Sequence, residues 1–367
     1  MVKLVLALFL LFNQIRYNFI NQMTKECFFY LPDSALNDAT IFYCNLVRKA
    51  CEYLDINVID ITEKEFCRVE RGALTFTIRL TDYFKIAKYS RHNMFWFQGI
   101  VPEEILLLKG KGLKNRFMYF YVSIKERKVL KTALLNMFVS EAMRKHYLTK
   151  YRINQLDNNV VVPCYNQKLH YDVHQIKERF NNLAFVYAGS MSAWQCIEES
   201  LQIFKEVQLQ EPSATFTILT NQKDKISGLI KKHRVSNVFT DYVALSDLQE
   251  YLSKFKYAFL LRRKDVVNEV STPTKMNSYL ASGLIPIYTD VVSSFEENID
   301  LNGYGIKVSL ESDRFDTIAK RILSHHSMKI NINGFVECLE RLFSDYYNDA
   351  TYINQLALQI EKQWLQK

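Results

Sequence analysis

Short apolar runs alternate with longer stretches whose apolar residues recur at helical spacing, and this rhythm fills most of the chain. Residues 27–31 form an apolar run stopped by Pro32-Asp33, the pattern of a buried strand meeting a turn. Residues 36–54 predict a helix, with Ile41, Cys44, Leu46, Val47, Ala50 and Leu54 at helical spacing. Residues 57–61 predict a strand, and 62–90 carry no clear pattern. Residues 94–97 predict a strand ending at Gln98-Gly99. Val101-Pro102-Glu103-Glu104 then opens a helix: proline comes early, and the acids fall in the first turn, where the helix dipole favours them. Residues 117–122 fit either a strand or a helix entry. Beyond them, 125–135 predict a helix, 137–140 a strand, 141–151 a helix and 160–163 a strand.

A looser polar stretch, 165–182, is where a domain boundary is expected. The rhythm then restarts more regularly. Strands are predicted at 184–188, 215–219, 237–239, 257–261 and 285–288. Helices are predicted at 194–207, 223–233, 247–255 and 275–281, and 335–365 reads as helical throughout. Strands alternating with helices of this length imply parallel βαβ units with helices on both faces. The expected fold class is therefore α/β, with two doubly wound parallel-sheet domains over 23–180 and 181–345 facing a cleft. A poorly defined apolar segment, 1–22, precedes them, and a helix at 346–367 is expected to pack back toward the first domain.

Composition narrows this picture. A chain of 367 residues is too long for one ordinary core, and 49% hydrophobic with 23% charged residues excludes a disordered chain. Only ten glycines are present, far below the usual share of about 7%. There is no Gly-x-Gly-x-x-Gly fingerprint, no Gly-x-x-x-x-Gly-Lys phosphate loop and no collagen-like or Gly-rich linker tract. Seven cysteines form no Cys-x-x-Cys pair and no zinc-spaced cluster, which fits a reduced, cytoplasmic compartment. Residues 4–12 are apolar behind Lys3, too short a run to span a bilayer and followed by no small-residue cleavage site. A loosely attached segment is expected there, with an anchoring helix as the other reading.

In an open parallel sheet, ligands bind in the turns that lead from strands into helices. Two such turns carry candidate chemistry. In the first, a strand runs into Gly189-Ser190-Met191-Ser192, where Ser192 can cap a helix whose free N–H groups would face a phosphate; an ordinary capped turn is the plainer alternative. The second runs from Arg262-Arg263-Lys264 to Thr272-Pro273-Thr274-Lys275, three cations after a buried strand and then a capped helix start that closes at Gly283. Helix dipole, N–H groups and fixed cations converging there suit a diphosphate, although charge runs are often no more than a solvated loop.

The stretch 268–287, with Pro273-Thr274-Lys275, Tyr279-Leu280-Ala281-Ser282-Gly283 and Ile285-Pro286-Ile287, resembles the signature of family-4-type glycosyltransferases, in particular the branch of bacterial capsule and cell-wall polysaccharide clusters. Residues 185–195, 138–141, 160–163 and 96–104 resemble other segments of that family, so the likeness spans about 24–350. It implies a GT-B fold of two Rossmann-like domains, the second holding a nucleotide-sugar donor and the first a glycan or lipid-linked acceptor. It implies transfer with retention of configuration and no bound metal, since cations and helix N-termini carry the leaving diphosphate. Lys275 and Arg263 are the residues expected to do so, with Arg262 weaker. Gly189, Ser190 and Thr274 would add backbone or hydroxyl hydrogen bonds.

The sequence also departs from that family. Ser190 and Gln195 stand where many members carry Arg and Lys, and Val270 and Ser278 where many carry paired glutamates. Ser278 would still offer the ribose one hydrogen bond. A non-catalytic nucleotide-binding partner of another transferase, or an epimerase or hydrolase on the same fold, therefore stays open. Asn268, Thr272, Asn221 and Val243 are further donor-side candidates, and Gln98 and Glu103 are placed at the cleft end of a first-domain strand. The seven histidines form no defensible triad; His170 and His174 lack a convincing third metal ligand.

The net charge of +8 is not spread evenly. Residues 109–152 hold twelve Lys and Arg against Glu126 and Glu141, a net of +10, interleaved with Phe117, Tyr119, Phe120 and Tyr121. Basic plus aromatic helices suit an anionic membrane surface. Docking of this block on the inner face of the plasma membrane is the expectation, with a solvated face as the alternative. No nucleic-acid module is recognisable.

Overall fold

The computed structural model describes residues 25–169 and 177–366. The expected segment 1–22, His170 and His174 lie outside the described residues. Two six-stranded, all-parallel sheets organise the rest. The first contains β1 (Glu26–Phe29), β2 (Asn57–Asp60), β3 (Leu74–Thr77), β4 (His92–Phe97), β5 (Leu135–Phe138) and β6 (Asn159–Val161), in the order β2-β1-β3-β4-β5-β6. The second contains β7 (Ala184–Ala188), β8 (Thr215–Leu219), β9 (Val238–Asp241), β10 (Tyr257–Leu260), β11 (Ile285–Thr289) and β12 (Ile306–Val308), in the order β12-β11-β10-β7-β8-β9. Register is set by apolar pairs such as Met94 with Leu135 and Phe259 with Ile287. Helices cover both faces, so central strands are buried along their whole length and read as unbroken apolar runs.

Aromatic rings take up much of the core volume. Phe97 stacks on Phe138, and Phe185 stacks on Tyr257 and Phe259 at centroid distances of 5.3 and 5.4 Å. The unpatterned stretch 62–90 holds a 3₁₀ turn, Glu63–Arg68, then β3 and the helix Leu80–Ile86. Its strand escaped the apolar pattern because Thr75 and Thr77 are themselves buried; the Thr75 hydroxyl donates to Asn93 Oδ1 at 2.6 Å. Residues 117–122 lie inside the helix Leu113–Thr132, and β5 begins at Leu135, where a helix was expected to end. The helix expected from 194 starts at Ile197, because Cys196 adopts a left-handed φ of 50° after a 3₁₀ turn. The C-terminal helical stretch is interrupted at 346–348, where Asn348 caps the helix Asp349–Ile360. β12, a three-residue strand with one exposed lysine, gave no sequence signal.

The two sheets are tied along one seam. Ser140 Oγ donates to the Val270 carbonyl at 2.5 Å, and the Cys164 amide donates to Thr272 Oγ1 at 3.0 Å. The amides of Asn166 and Gln167 both donate to Asn277 Oδ1. Tyr43, from the helix Asp38–Tyr53, hydrogen-bonds Thr274. The helix Asp349–Ile360 packs on that same first-sheet helix, Tyr165 donates to Asp349, and Trp364 Nε1 donates to the Gly72 carbonyl. No helix among the described residues is long and apolar enough to cross a membrane.

Candidate active site

The loops after β4, β7 and β10 meet across a cavity of about 230 Å³. The first sheet supplies Gln98, Gly99 and Glu104; the second supplies Trp194, Arg262, Asn268 and the segment 270–274. Arg262 lies two residues beyond the last β10 pair, Leu260 with Tyr288, and is 4% exposed. Its backbone N–H donates to Thr289 Oγ1, and its Nη1 donates to Gln195 Oε1 at 2.8 Å and to the Trp194 carbonyl at 3.0 Å. Lys275 lies one residue inside the helix Thr274–Ala281, and its Nζ donates to the same Gln195 oxygen at 3.0 Å, 5.2 Å from the Tyr187 ring centroid. Gly189 makes room for it. At φ +138° a Cβ there would be strained, and it would lie 2.5 Å from Lys275 Cε.

Two cations therefore share one neutral acceptor. Among the described residues, no carboxylate hydrogen-bonds or ion-pairs with either. Burial, and then the charge of Arg262, pushes the Lys275 ammonium well below its ordinary range; burial also lowers Arg262. A cation pair held in this way is short of counter-charge, and a bound polyanion would relieve both groups at once.

The other sequence candidates divide into distinct groups. Arg263 turns away from this cluster: its side chain is 63% exposed and pairs with Glu199 at 2.6 Å, so the geometry reverses the weight given to Arg262 and Arg263. Thr272, Thr274 and Ser278 have hydroxyls engaged in the seam between sheets or with local carbonyls; Ser278 Oγ donates to Asn166 Oδ1 at 3.4 Å. Asn268 braces the loop through Nδ2 to the Arg263 carbonyl. Ser190 is exposed and hydrogen-bonds Ser192, Asn221 is exposed beyond β8, and Val243 is half-buried beyond β9.

On the first-sheet side, Gln98 lines the cavity and Glu103 does not. Glu103 faces inward to Lys150 at 2.8 Å and His146 at 3.3 Å; burial pushes its carboxyl up, but those bonds outweigh it and hold it below the ordinary value. Lys150 also reaches the fully buried Glu126, which Tyr151 and Tyr147 hydrogen-bond and which burial raises to about 7. Glu104 is the acid at the cavity, where its carboxylate lies against Gly99; a Cβ on Gly99 would sit 2.1 Å from Glu104 Oε1. Burial, with the nearby charge of Glu103, raises the Glu104 carboxyl. Sequence reading passed over Glu104, in the first turn of the helix Val101–Lys109, and Trp194, in the 3₁₀ turn before Ile197; in either place one residue of phase decides which side chain faces the cleft.

No protein-family model matches the chain, and no curated protein does. Solved structures do. The chain is similar to sucrose-phosphate synthase from Thermosynechococcus elongatus (TM-score 0.65, 11% identity, 94% of this chain and 100% of that one). It is similar to HepE from Anabaena, solved with UDP and glucose (0.62, 12%, 92% and 99%). It is also similar to TarM from S. aureus, solved with UDP, α-GlcNAc-glycerol and fondaparinux (0.57, 14%, 88% and 58%). The chain spans 58% of the length of TarM. Two six-stranded doubly wound sheets, joined by a seam and facing a cleft walled by their strand-to-helix loops, together with these likenesses, make the architecture a GT-B fold.

Proposed function

We propose that the protein is a glycosyltransferase that moves a sugar from a nucleotide-sugar donor to a glycan or lipid-linked acceptor. One observation carries this reading: Arg262 and Lys275 converge on the neutral Gln195 oxygen, and no carboxylate among the described residues pairs with either. That is the electrostatic provision a departing diphosphate needs. UDP in two of the similar structures supports the same ligand class here. In the reaction, a bond forms between the acceptor oxygen and the anomeric carbon. The bond from that carbon to the phosphate oxygen breaks and its electron pair leaves on the diphosphate, which takes up the proton released by the acceptor hydroxyl, while Arg262 and Lys275 stabilise the charge that develops. With two protein cations in place, no resident metal is required, and the family likeness of 268–287 favours retention of configuration and a bacterial surface-glycan acceptor.

A panel of nucleoside diphosphates in a thermal-shift assay tests the donor site. At least one should stabilise the wild-type protein, and Lys275→Ala and Arg262→Ala should each remove most of that shift. If no member of the panel stabilises the wild type, the reading is wrong.

The same reading places the protein at an anionic membrane. Leu113, Phe117, Phe120 and Ile124 recur at one helical face of Leu113–Thr132 and are 62–88% exposed. Lys109, Lys111, Lys114 and Arg116 are exposed beside them, whereas Lys150 is spent inside on Glu103 and Glu126. The docking surface is thus narrower than 109–152. Flotation should show binding to anionic vesicles that the double variant Phe117→Asp, Ile124→Asp abolishes; equal binding to neutral vesicles would refute it.

A further inference from the structure

Glu126, on the helix Leu113–Thr132, is 0% exposed, and one hydroxyl separates its carboxyl from the turn Gln98-Gly99 that walls the cleft. Its two oxygens have different partners. Oε2 accepts from the Tyr151 hydroxyl at 2.6 Å and from Lys150 Nζ at 3.3 Å. Oε1 accepts from Tyr147 at 3.1 Å and, among the described residues, from no other group. The same Tyr147 hydroxyl lies 2.9 Å from the Gly99 carbonyl oxygen. A phenol carries one proton, so Tyr147 cannot donate to both acceptors at once. Burial pushes the Tyr147 phenol well above its ordinary value, so that proton stays in place, whereas the Glu126 carboxyl, raised by burial to about 7, changes state near neutrality. The charged groups around it do not cancel. Lys150, from the helix Glu141–Tyr151, is divided between Glu126 and Glu103, which it meets at 2.8 Å. Glu103, from the helix Val101–Lys109, also takes His146 and the Tyr119 hydroxyl, each at 3.3 Å. Arg79 and Lys125 line the half-open chamber whose wall includes Glu126, but Arg79 pairs with Asp82 at 2.6 Å and Lys125 Nζ lies over the Tyr121 ring.

We infer that Glu126 is a proton-operated catch on the Gly99 turn, working through the single hydroxyl of Tyr147. Protonated on Oε1, Glu126 donates to the Tyr147 oxygen, and Tyr147 donates to the Gly99 carbonyl and holds the turn. Ionised, Glu126 takes the Tyr147 hydroxyl for itself and lets the carbonyl go. Tyr151 and Lys150 keep their bonds to Oε2 in both states, so the change is one proton exchanged with solvent and one O–H turned from one acceptor to the other. The sign follows from the chemistry: the turn is held on the acid side and released on the alkaline side. Gln98 and Gly99 face Arg262 and Asn268 across the cleft cavity, so the first-sheet wall of that cavity is firm or loose according to the state of a carboxyl that does not itself line it. The catch does not depend on what the cleft binds, and it stands whether or not the protein transfers a sugar.

The sequence offers a direct probe. Glycine is followed by isoleucine at two places, Gly99-Ile100 and Gly305-Ile306. Labelling the full chain with carbonyl-¹³C glycine and ¹⁵N isoleucine therefore leaves two NMR signals that report those two carbonyls, and Gly305 serves as the reference. In the wild type, the Gly99 carbonyl should move downfield as pH falls through 7, the sense of a gained hydrogen bond, while Gly305 stays fixed. Glu126→Gln, whose amide N–H₂ donates to Tyr147 as the protonated acid does, should hold the Gly99 signal at its acid position at every pH. Tyr147→Phe, which keeps the buried ring and removes the hydroxyl, should hold it at the alkaline position. A Gly305 signal at its wild-type place shows that each variant is folded. A wild-type Gly99 signal that stays still from about pH 5.5 to about 8.5 would overturn the inference. So would a Gly99 signal that titrates unchanged in Glu126→Gln, the result expected if His146 were the group responsible, or one that still titrates in Tyr147→Phe.

Discussion

The sharing of Gln195 by two cations makes a definite prediction for Gln195→Glu. Arg262 Nη1 and Lys275 Nζ lie 2.8 and 3.0 Å from the same oxygen, so a carboxylate there acquires two ion pairs with no rearrangement. At an effective dielectric near 20, two unit charges about 4 Å apart interact by about 4 kcal/mol, or about 8 for both pairs. Burying the new carboxylate removes several kcal/mol of that, because Gln195 is 6% exposed. A net stabilisation on the order of 2 kcal/mol is expected, raising Tm by roughly 4 °C in a chain of this size. The same carboxylate occupies the charge that a diphosphate would use, so affinity for the nucleoside diphosphate should fall on the order of 100-fold or more. Scanning calorimetry with and without nucleoside diphosphate reads both effects: the variant should melt higher alone and lose the ligand-induced shift. A variant that melts lower than wild type, or that keeps the full ligand shift, would refute the idea that these cations are short of counter-charge.

Other expectations follow from the same geometry. Gly189→Ala should destabilise the fold by about 1–3 kcal/mol and reduce nucleotide affinity, since the new methyl meets Lys275 Cε at 2.5 Å; urea unfolding and titration calorimetry check both. Arg263→Ala should change nucleotide affinity by no more than about threefold, in contrast to Arg262→Ala, because its exposed pair with Glu199 contributes at most about 1 kcal/mol. Glu126 has a folded-state value raised to about 7, so its contribution to stability is complete below the ordinary carboxylate range and is lost as pH rises through 7. Urea unfolding at pH 5 and pH 8 should therefore show a smaller loss of stability across that interval in Glu126→Gln than in wild type.

The parallel strands were legible because sheets covered on both faces require uninterrupted apolar runs, as 257–260 and 285–289 show. The loop after β10 was legible as a candidate lining of the cavity because cations close behind a buried strand are unusual. Which of Arg262 and Arg263 enters the cleft was not legible, since consecutive residues in extended backbone point opposite ways and the answer depends on where β10 stops. Glu103 and Glu104 pose the same difficulty on a helix, where one residue turns a side chain through about 100°. The hydroxyls of Thr272 and Thr274 resemble phosphate ligands in one dimension. Their partners, Cys164 and Tyr43, are 108 and 231 residues away, and only the folded chain brings them together.

The indole of Trp364 bonds a carbonyl 292 residues earlier, and the helix before it covers the first helix of the first sheet. During synthesis, the first half of the protein therefore emerges without one of its own walls. Cys44, Val47 and Cys51 lie buried on the covered helix, and residues 349–365 must be made before that surface is closed. Closing so long a loop adds little entropy beyond that of a moderate one, so the arrangement is thermodynamically mild. Its cost is temporal: an unfinished or clipped chain would fail first in the half farthest from the break in sequence.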